Sequence, residues 1–126
     1  EHIAAFCGAA ARGELEKMQR FFRIGLHVDE TDANGRTALH VASCEGQMEA
    51  ILRMLANGIE INVSNYDSRT ALHLAASQGN TAVVEYLLEK KAEVNVKDRM
   101  GGTPLADALR HGHVQIQSLL RSAGAQ

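Results

Sequence analysis

Apolar residues recur along the chain in two alternating patterns. Short Ala- and Leu-rich runs, such as Ala38-Leu39-His40-Val41-Ala42 and Ala71-Leu72-His73-Leu74-Ala75-Ala76, are each followed by a glycine. A second kind of stretch comes next, with apolar residues three and four apart: Ile51, Met54 and Leu55, then Val83, Val84, Leu87 and Leu88. That spacing marks one face of an amphipathic helix. Polar connections separate the pairs, through Asp32-Ala33-Asn34-Gly35, Asn65-Tyr66-Asp67-Ser68 and Asp98-Arg99-Met100-Gly101. The first and third are turn sequences with Asp first and Gly fourth. The pattern predicts short helices over about 5–11, 38–45, 71–78 and 104–111, each paired with a second helix near 15–24, 48–57, 81–90 and 114–122.

The interval is 33 residues. Thr37, Thr70 and Thr103 stand 33 apart, as do Gly13, Gly46, Gly79 and Gly112. Each Thr is placed to cap the first helix of its pair with its hydroxyl, and Pro104 follows Thr103 at a first helical position, where a missing N–H costs nothing. The recurring glycine closes that helix. Gly25, Gly58 and Gly124 fall just past the second helix, where a left-handed residue is wanted, and Lys91 occupies the corresponding place in the third copy. Lys91, and Ser68 where the other connections carry Gly, are expected weak points. Four copies in register predict one all-α solenoid over 1–126, with units of about 1–33, 34–66, 67–99 and 100–126.

These residues resemble ankyrin repeats. The family pattern is a Gly-x-Thr-Pro-Leu-His-x-Ala-Ala stretch, a Gly, an outer helix ending in Leu-Leu, then Gly-Ala and an Asn-containing hairpin. It stands here as Gly35-Arg36-Thr37-Ala38-Leu39-His40, Leu72-His73-Leu74-Ala75-Ala76, Tyr86-Leu87-Leu88 and Val94-Asn95-Val96. The resemblance covers the whole chain and implies stacked helix–turn–helix units with short projecting hairpin loops. It also implies that His40 and His73 hold the start of their inner helices by bonding the Thr and the adjoining loops. Ala4 and Cys7 replace Thr and His in the first unit, as in a capping unit, and Ala106 stands in the His place of the fourth. Gln117 and Arg121 take positions filled by Val84 and Leu88 one unit earlier, which predicts that the stack ends with the fourth unit.

Composition changes this picture little. With 126 residues, 45% of them hydrophobic, the chain can bury about two thirds of its unfolded surface. Aromatics are only 4%, so the core is expected to be built from Ala, Leu, Val, Ile and Met. A net charge of −2 lacks the footprint of a nucleic-acid binder, and no stretch is apolar for long enough to insert in a membrane. The chain opens on Glu1, as an excised piece of a longer protein would. Cys7 and Cys44 make no disulfide framework, and free thiols fit a reducing, intracellular setting, cytoplasmic or nuclear.

No catalytic chemistry stands out. There is no phosphate loop, dinucleotide fingerprint or nucleophile elbow, and no cofactor is expected. His111 and His113, two apart, lack partners at zinc spacing and are expected in solvent. Arg12, Lys17, Arg20, Arg23 and His27 read as a solvated helix face of the first unit. Lys90, Lys91, Lys97, Arg99 and Arg110 gather round the last hairpin and read as a solvated edge, the alternative being a contact for an acidic peptide or nucleic acid, the latter little supported by the net charge.

What remains is a surface. The resemblance implies binding through hairpin tips and the concave face of the inner helices. The corresponding positions vary from unit to unit while the framework repeats: Arg36, Tyr66, Asp67, Arg69, Ser77, Gln78, Arg99, Met100 and Arg110. Tyr66, Arg69 and Arg99 are the expected main anchors, because exposed Tyr and Arg dominate hot spots. The expectation is a monomeric, non-catalytic module for a protein or peptide partner, with no metal. The alternative is a regulatory segment of a larger enzyme or channel, since residues 98–108 resemble the last repeat of certain kinases, glutaminases and potassium channels.

Overall fold

The computed structural model describes residues 2–26 and 30–126; His27 lies outside them. Among the described residues it contains eight helices: α1 (His2–Arg12), α2 (Leu15–Arg23), α3 (Ala38–Glu45), α4 (Met48–Ala56), α5 (Ala71–Gln78), α6 (Thr81–Glu89), α7 (Pro104–Arg110) and α8 (Val114–Ser122). Seven of the eight begin within a residue of the expected start. The first begins earlier, at His2 instead of about residue 5, since no Thr stops it there.

The caps explain the boundaries. Thr37, Thr70 and Thr103 adopt extended backbone and accept hydrogen bonds from the amides of His40, His73 and Ala106 at 3.2, 3.4 and 3.2 Å. Gly46 and Gly79 close α3 and α5 in the left-handed conformation, at φ 73° and 76°. These glycines have a second reason to recur. A Cβ on Gly13, Gly46 or Gly79 would meet the side chain of Gln47, Asn80 or His113, at 2.6, 3.3 and 2.8 Å. Each of those residues opens the outer helix of the next unit and reaches back to the end of the preceding inner helix. Gln47 Nε2 donates to the Ala11 carbonyl at 3.0 Å, Asn80 Nδ2 to Ser43 and Cys44 at 2.7 and 3.0 Å, and His113 Nε2 bonds the Ser77 carbonyl at 3.1 Å. Carbonyls left free at the helix ends are thereby satisfied by the neighbouring unit. His113 is thus a staple between units, which corrects the expectation of a solvated side chain; His111 is exposed and its ring stacks on that of His113.

Two layers result. The inner helices α1, α3, α5 and α7 pack successively side by side, while α2 lies on α4 and α6 on α8 behind them. Ala9, Ala10, Ala42, Ala75, Ala76 and Ala108 are fully buried, and these small residues let neighbouring inner helices approach closely. Leu39, Ile51, Met54, Leu72, Leu87, Ile116 and Leu120 fill the space between layers. The first unit departs from the expected aliphatic core. Phe6 is fully buried and meets Phe21 and Phe22 edge-on, with ring centroids 5.8 and 5.5 Å apart.

Lys91 and Ser68 are the two non-glycine residues at positive φ among those described, at 70° and 60°. The equivalents Gly25, Gly58 and Gly124 share the left-handed sign at 75°, 90° and 102°. A side chain there costs free energy that glycine avoids. Lys91→Gly is therefore expected to raise stability by about 0.5–1 kcal/mol. Urea titration checks this, and unchanged or lowered stability would show that the lysine side chain contributes more than its backbone strain costs.

Candidate functional site

The three tips are built alike. Asp32, Asn65 and Asp98 each turn a side-chain oxygen onto the amides two and four residues ahead: Asn34 and Arg36, Asp67 and Arg69, Met100 and Gly102, all at 2.8–3.0 Å. Each turn is then closed by a backbone bond from that residue's own amide to the carbonyl four ahead, at 2.7, 3.0 and 2.9 Å. Short polar side chains suit this local bonding, which is why Asp and Asn recur there. Burial opposes ionisation of Asp32 and Asp98, but the amide donors and the arginine beside each outweigh it and hold both carboxyls below the ordinary 3.8. The tips are also joined to one another. The Arg99 amide donates to the Asp67 carbonyl at 3.0 Å, and the Tyr66 amide reaches the Gly35 carbonyl at 3.4 Å.

This frame fixes what the tips present. Tyr66 is 66% exposed and Met100 93%, on adjacent tips. The Tyr66 ring lies over Gly35, whose missing Cβ makes room: one built there would be 2.3 Å from Tyr66 Cδ2. The Tyr66 hydroxyl is 3.4 Å from Thr31 Oγ1. Between the second and third tips lies a recess lined by Asp67, Arg69, Asp98, Arg99 and Met100. Arg99 and Asp67 face each other across 3.7 Å, both about two-thirds exposed, an ion pair too loose and solvated to hold either side chain in place. A second recess opens beside the inner helices, between Arg36, His40, Val41, Cys44, Asn65 and Leu74. Gln78 and Arg110 are exposed and Ser77 is half-buried at the ends of α5 and α7. Arg36 is anchored on its own turn by two bonds to Asp32 Oδ2, at 3.1 and 2.9 Å.

Arg69 is placed differently from the other expected anchors. Its guanidinium points into the stack, where Nη1 donates to Asp98 Oδ2 at 2.7 Å and Nη2 to Asp107 Oδ2 at 3.1 Å. Its side chain keeps 19% exposure, against 7% for Asp98 and 1% for Asp107. The Arg69 carbonyl accepts from His40 Nε2 at 2.6 Å, so one residue ties the second, third and fourth units together. An arginine committed in this way is a brace and has little left to offer a partner. Asp107 explains the difference: its equivalents one and two units earlier are Leu74 and Val41, so the charge that draws Arg69 inward exists only in the fourth unit. Asp107 Oδ1 makes no hydrogen bond, and Arg110 Nη1 stands 3.4 Å from it.

The two repeat histidines work as a pair of clamps. His73 Nε2 bonds the Gly102 carbonyl at 3.0 Å, while its Nδ1 accepts from the Thr70 amide at 3.0 Å. The carbonyl requires a donor and the amide an acceptor, so the ring is neutral with its proton on Nε2. His40 likewise joins two units, with the Thr37 hydroxyl on its Nδ1 and the Arg69 carbonyl on its Nε2. Burial lowers both histidines below the ordinary 6.5, and the carbonyl bond only partly opposes it. Cys7 is buried, and burial with the nearby Asp32 pushes its thiol up to about 11, which suppresses the nucleophilic thiolate. The half-buried Cys44 thiol is likewise raised, first by burial and then by Glu45. Among the described residues no group of His, Cys, Asp and Glu is arranged to hold a metal, and no helix is long and apolar enough to cross a membrane.

None of the curated proteins compared with the chain matches it. A family model describing ankyrin repeats in three copies matches residues 6–98 and again residues 65–126. Two overlapping matches that together run from the first inner helix to the last residue agree with the four helix pairs and their shared caps, and the chain belongs to the ankyrin-repeat family.

Proposed function

We propose that the chain is a non-catalytic module that binds a protein or peptide lying across the second and third tips and along the inner-helix face. Ankyrin repeats in general are protein–protein interaction modules. The observation that carries the reading to particular residues is the pair of exposed apolar side chains, Tyr66 and Met100, held on tips that are bonded backbone to backbone. Large exposed apolar residues beside arginine are the composition of a binding hot spot. Tyr66, Arg99 and Met100 serve as anchors, with Arg36, Asp67, Ser77, Gln78 and Arg110 at the edges. Arg69 supports the surface from behind. The free thiols of Cys7 and Cys44 support a reducing, intracellular setting.

Peptides selected against the whole chain from a random display library test the assignment. Met100→Ala and Arg99→Ala are each expected to weaken the selected peptides by about ten-fold. Both side chains are exposed, so the urea midpoint stays where it is. The competing surface is the outer-helix face around Glu49, Glu85 and Glu89. If alanine changes there abolish binding while Met100→Ala and Arg99→Ala leave it intact, the tips are not the site.

A further inference from the structure

The chain has nine arginines, and five of them face a carboxylate. Arg12, Arg36, Arg69, Arg99 and Arg110 each lie within 4 Å of a carboxylate. Arg20, Arg23, Arg53 and Arg121 pair with none among the described residues, and three of these four line a single recess on the outer-helix face. The recess lies where α2 packs on α4, with Leu15 and Gln19 completing its wall and Glu16 as its single acid. Arg20 and Arg53 hold the same place in successive units, 33 residues apart, and Arg23 follows Arg20 by one helical turn. All three side chains belong to exposed residues. The recess is on the opposite layer from the tips, so it is separate from the surface proposed above.

We propose that this recess is a second binding site, for a phosphorylated segment of a protein partner. Three guanidiniums gathered with one carboxylate in the wall, Glu16, and none of them ion-paired among the described residues, leave a local excess of positive charge, although the chain as a whole is slightly acidic. Each presents a planar fork of donors that matches an oxyanion in two-pronged fashion. Together the forks offer more N–H groups than the two oxygens of one carboxylate accept. A phosphate monoester brings three acceptor oxygens and nearly two charges, which fits that surplus. Glu16 at the wall repels any anion, and the three guanidiniums outweigh it. The Leu15 side chain gives an apolar surface for the residue beside the phosphate.

A phosphoserine peptide with no Asp or Glu, and its unphosphorylated twin, are titrated into the intact chain while the arginine Nε–H and backbone amide signals are followed by NMR. The account predicts saturable shifts at Arg20, Arg23 and Arg53 with the phosphopeptide and none with the twin. Arg20→Gln, Arg23→Gln or Arg53→Gln should each weaken binding by about ten-fold, the loss of one charged hydrogen-bonded contact. Arg121→Gln, which removes the unpaired arginine outside the recess, should change nothing. Thermal unfolding verifies that the variants are folded. The proposal is overturned if the shifts rise linearly without saturation at all arginines alike, if they gather at Arg99 and Met100, or if the recess binds phosphatidylserine vesicles but not the phosphopeptide.

Discussion

Replacing Arg69 with Ala is expected to unfold the protein more easily by about 3 kcal/mol, the largest effect of any single exposed or half-exposed residue. The cost comes from what is left behind. Asp107 is 1% exposed and its carboxylate would lose the one hydrogen-bond donor it has among the described residues, while Arg110 remains 3.4 Å away on the other oxygen. A buried charge without its partner is far more costly than the net worth of the pair. Asp98 suffers less, because the Met100 and Gly102 amides still bond it. The same reasoning gives a rescue. Asp107→Leu installs the residue found at the equivalent Leu74, and combined with Arg69→Met it should recover most of the lost stability. Urea titration of the two single variants and the double variant decides the matter. A loss below about 0.5 kcal/mol for Arg69→Ala would mean that the ion pairs behave as exposed ones do.

Stability is expected to fall in two stages on acidification. His40 and His73 are neutral in the folded chain, with both ring nitrogens engaged, and are held below 6.5. Above 6.5 neither the folded nor the unfolded chain carries a proton on them, and their clamps are intact. As the pH drops through 6.5 the unfolded chain takes up protons that the folded chain refuses, so stability falls until the folded pKa values are passed. The second stage involves Asp32 and Asp98, which are held below 3.8 by their amide and arginine partners. Their contribution is present above 3.8 and lost as the pH falls from there through the folded values. At neutral pH His73→Ala should cost about 2 kcal/mol, since it leaves the Gly102 carbonyl and the Thr70 amide without their partner. A His40→Gln, His73→Gln double variant should lose the first stage and keep the second. Stability that is flat between about pH 7.5 and 5.5 in the parent chain would contradict the assignment of these rings as buried and neutral.

The repeat makes the framework readable from the residues alone. Thr37, Thr70 and Thr103 mark helix starts because a capping hydroxyl leaves a residue-type signature, and the glycines mark the left-handed ends for the same reason. The position of Lys91 followed from its neighbours in register, although its own residue type speaks against a positive φ. What the sequence concealed were contacts between units in which the residue type changes. Gln47, Asn80 and His113 do one job with three different side chains, and their common signal is only a hydrogen-bond donor at the same place in each unit after the first. The inward turn of Arg69 was hidden for a different reason. Its partners Asp98 and Asp107 lie 29 and 38 residues further on, and Asp107 stands where the repeat otherwise carries an apolar residue. An arginine at a tip reads as an anchor until the buried acid that claims it is located.

The most direct test of the binding surface is hydrogen exchange on the chain with and without a selected peptide. Bound peptide is predicted to slow exchange at the amides of 65–69 and 98–102 and along the inner-helix ends near Cys44 and Gln78, with α4 and α6 unchanged. Protection confined to α4 and α6, with both tips exchanging as fast as in the free chain, would place the partner on the outer layer and contradict the account.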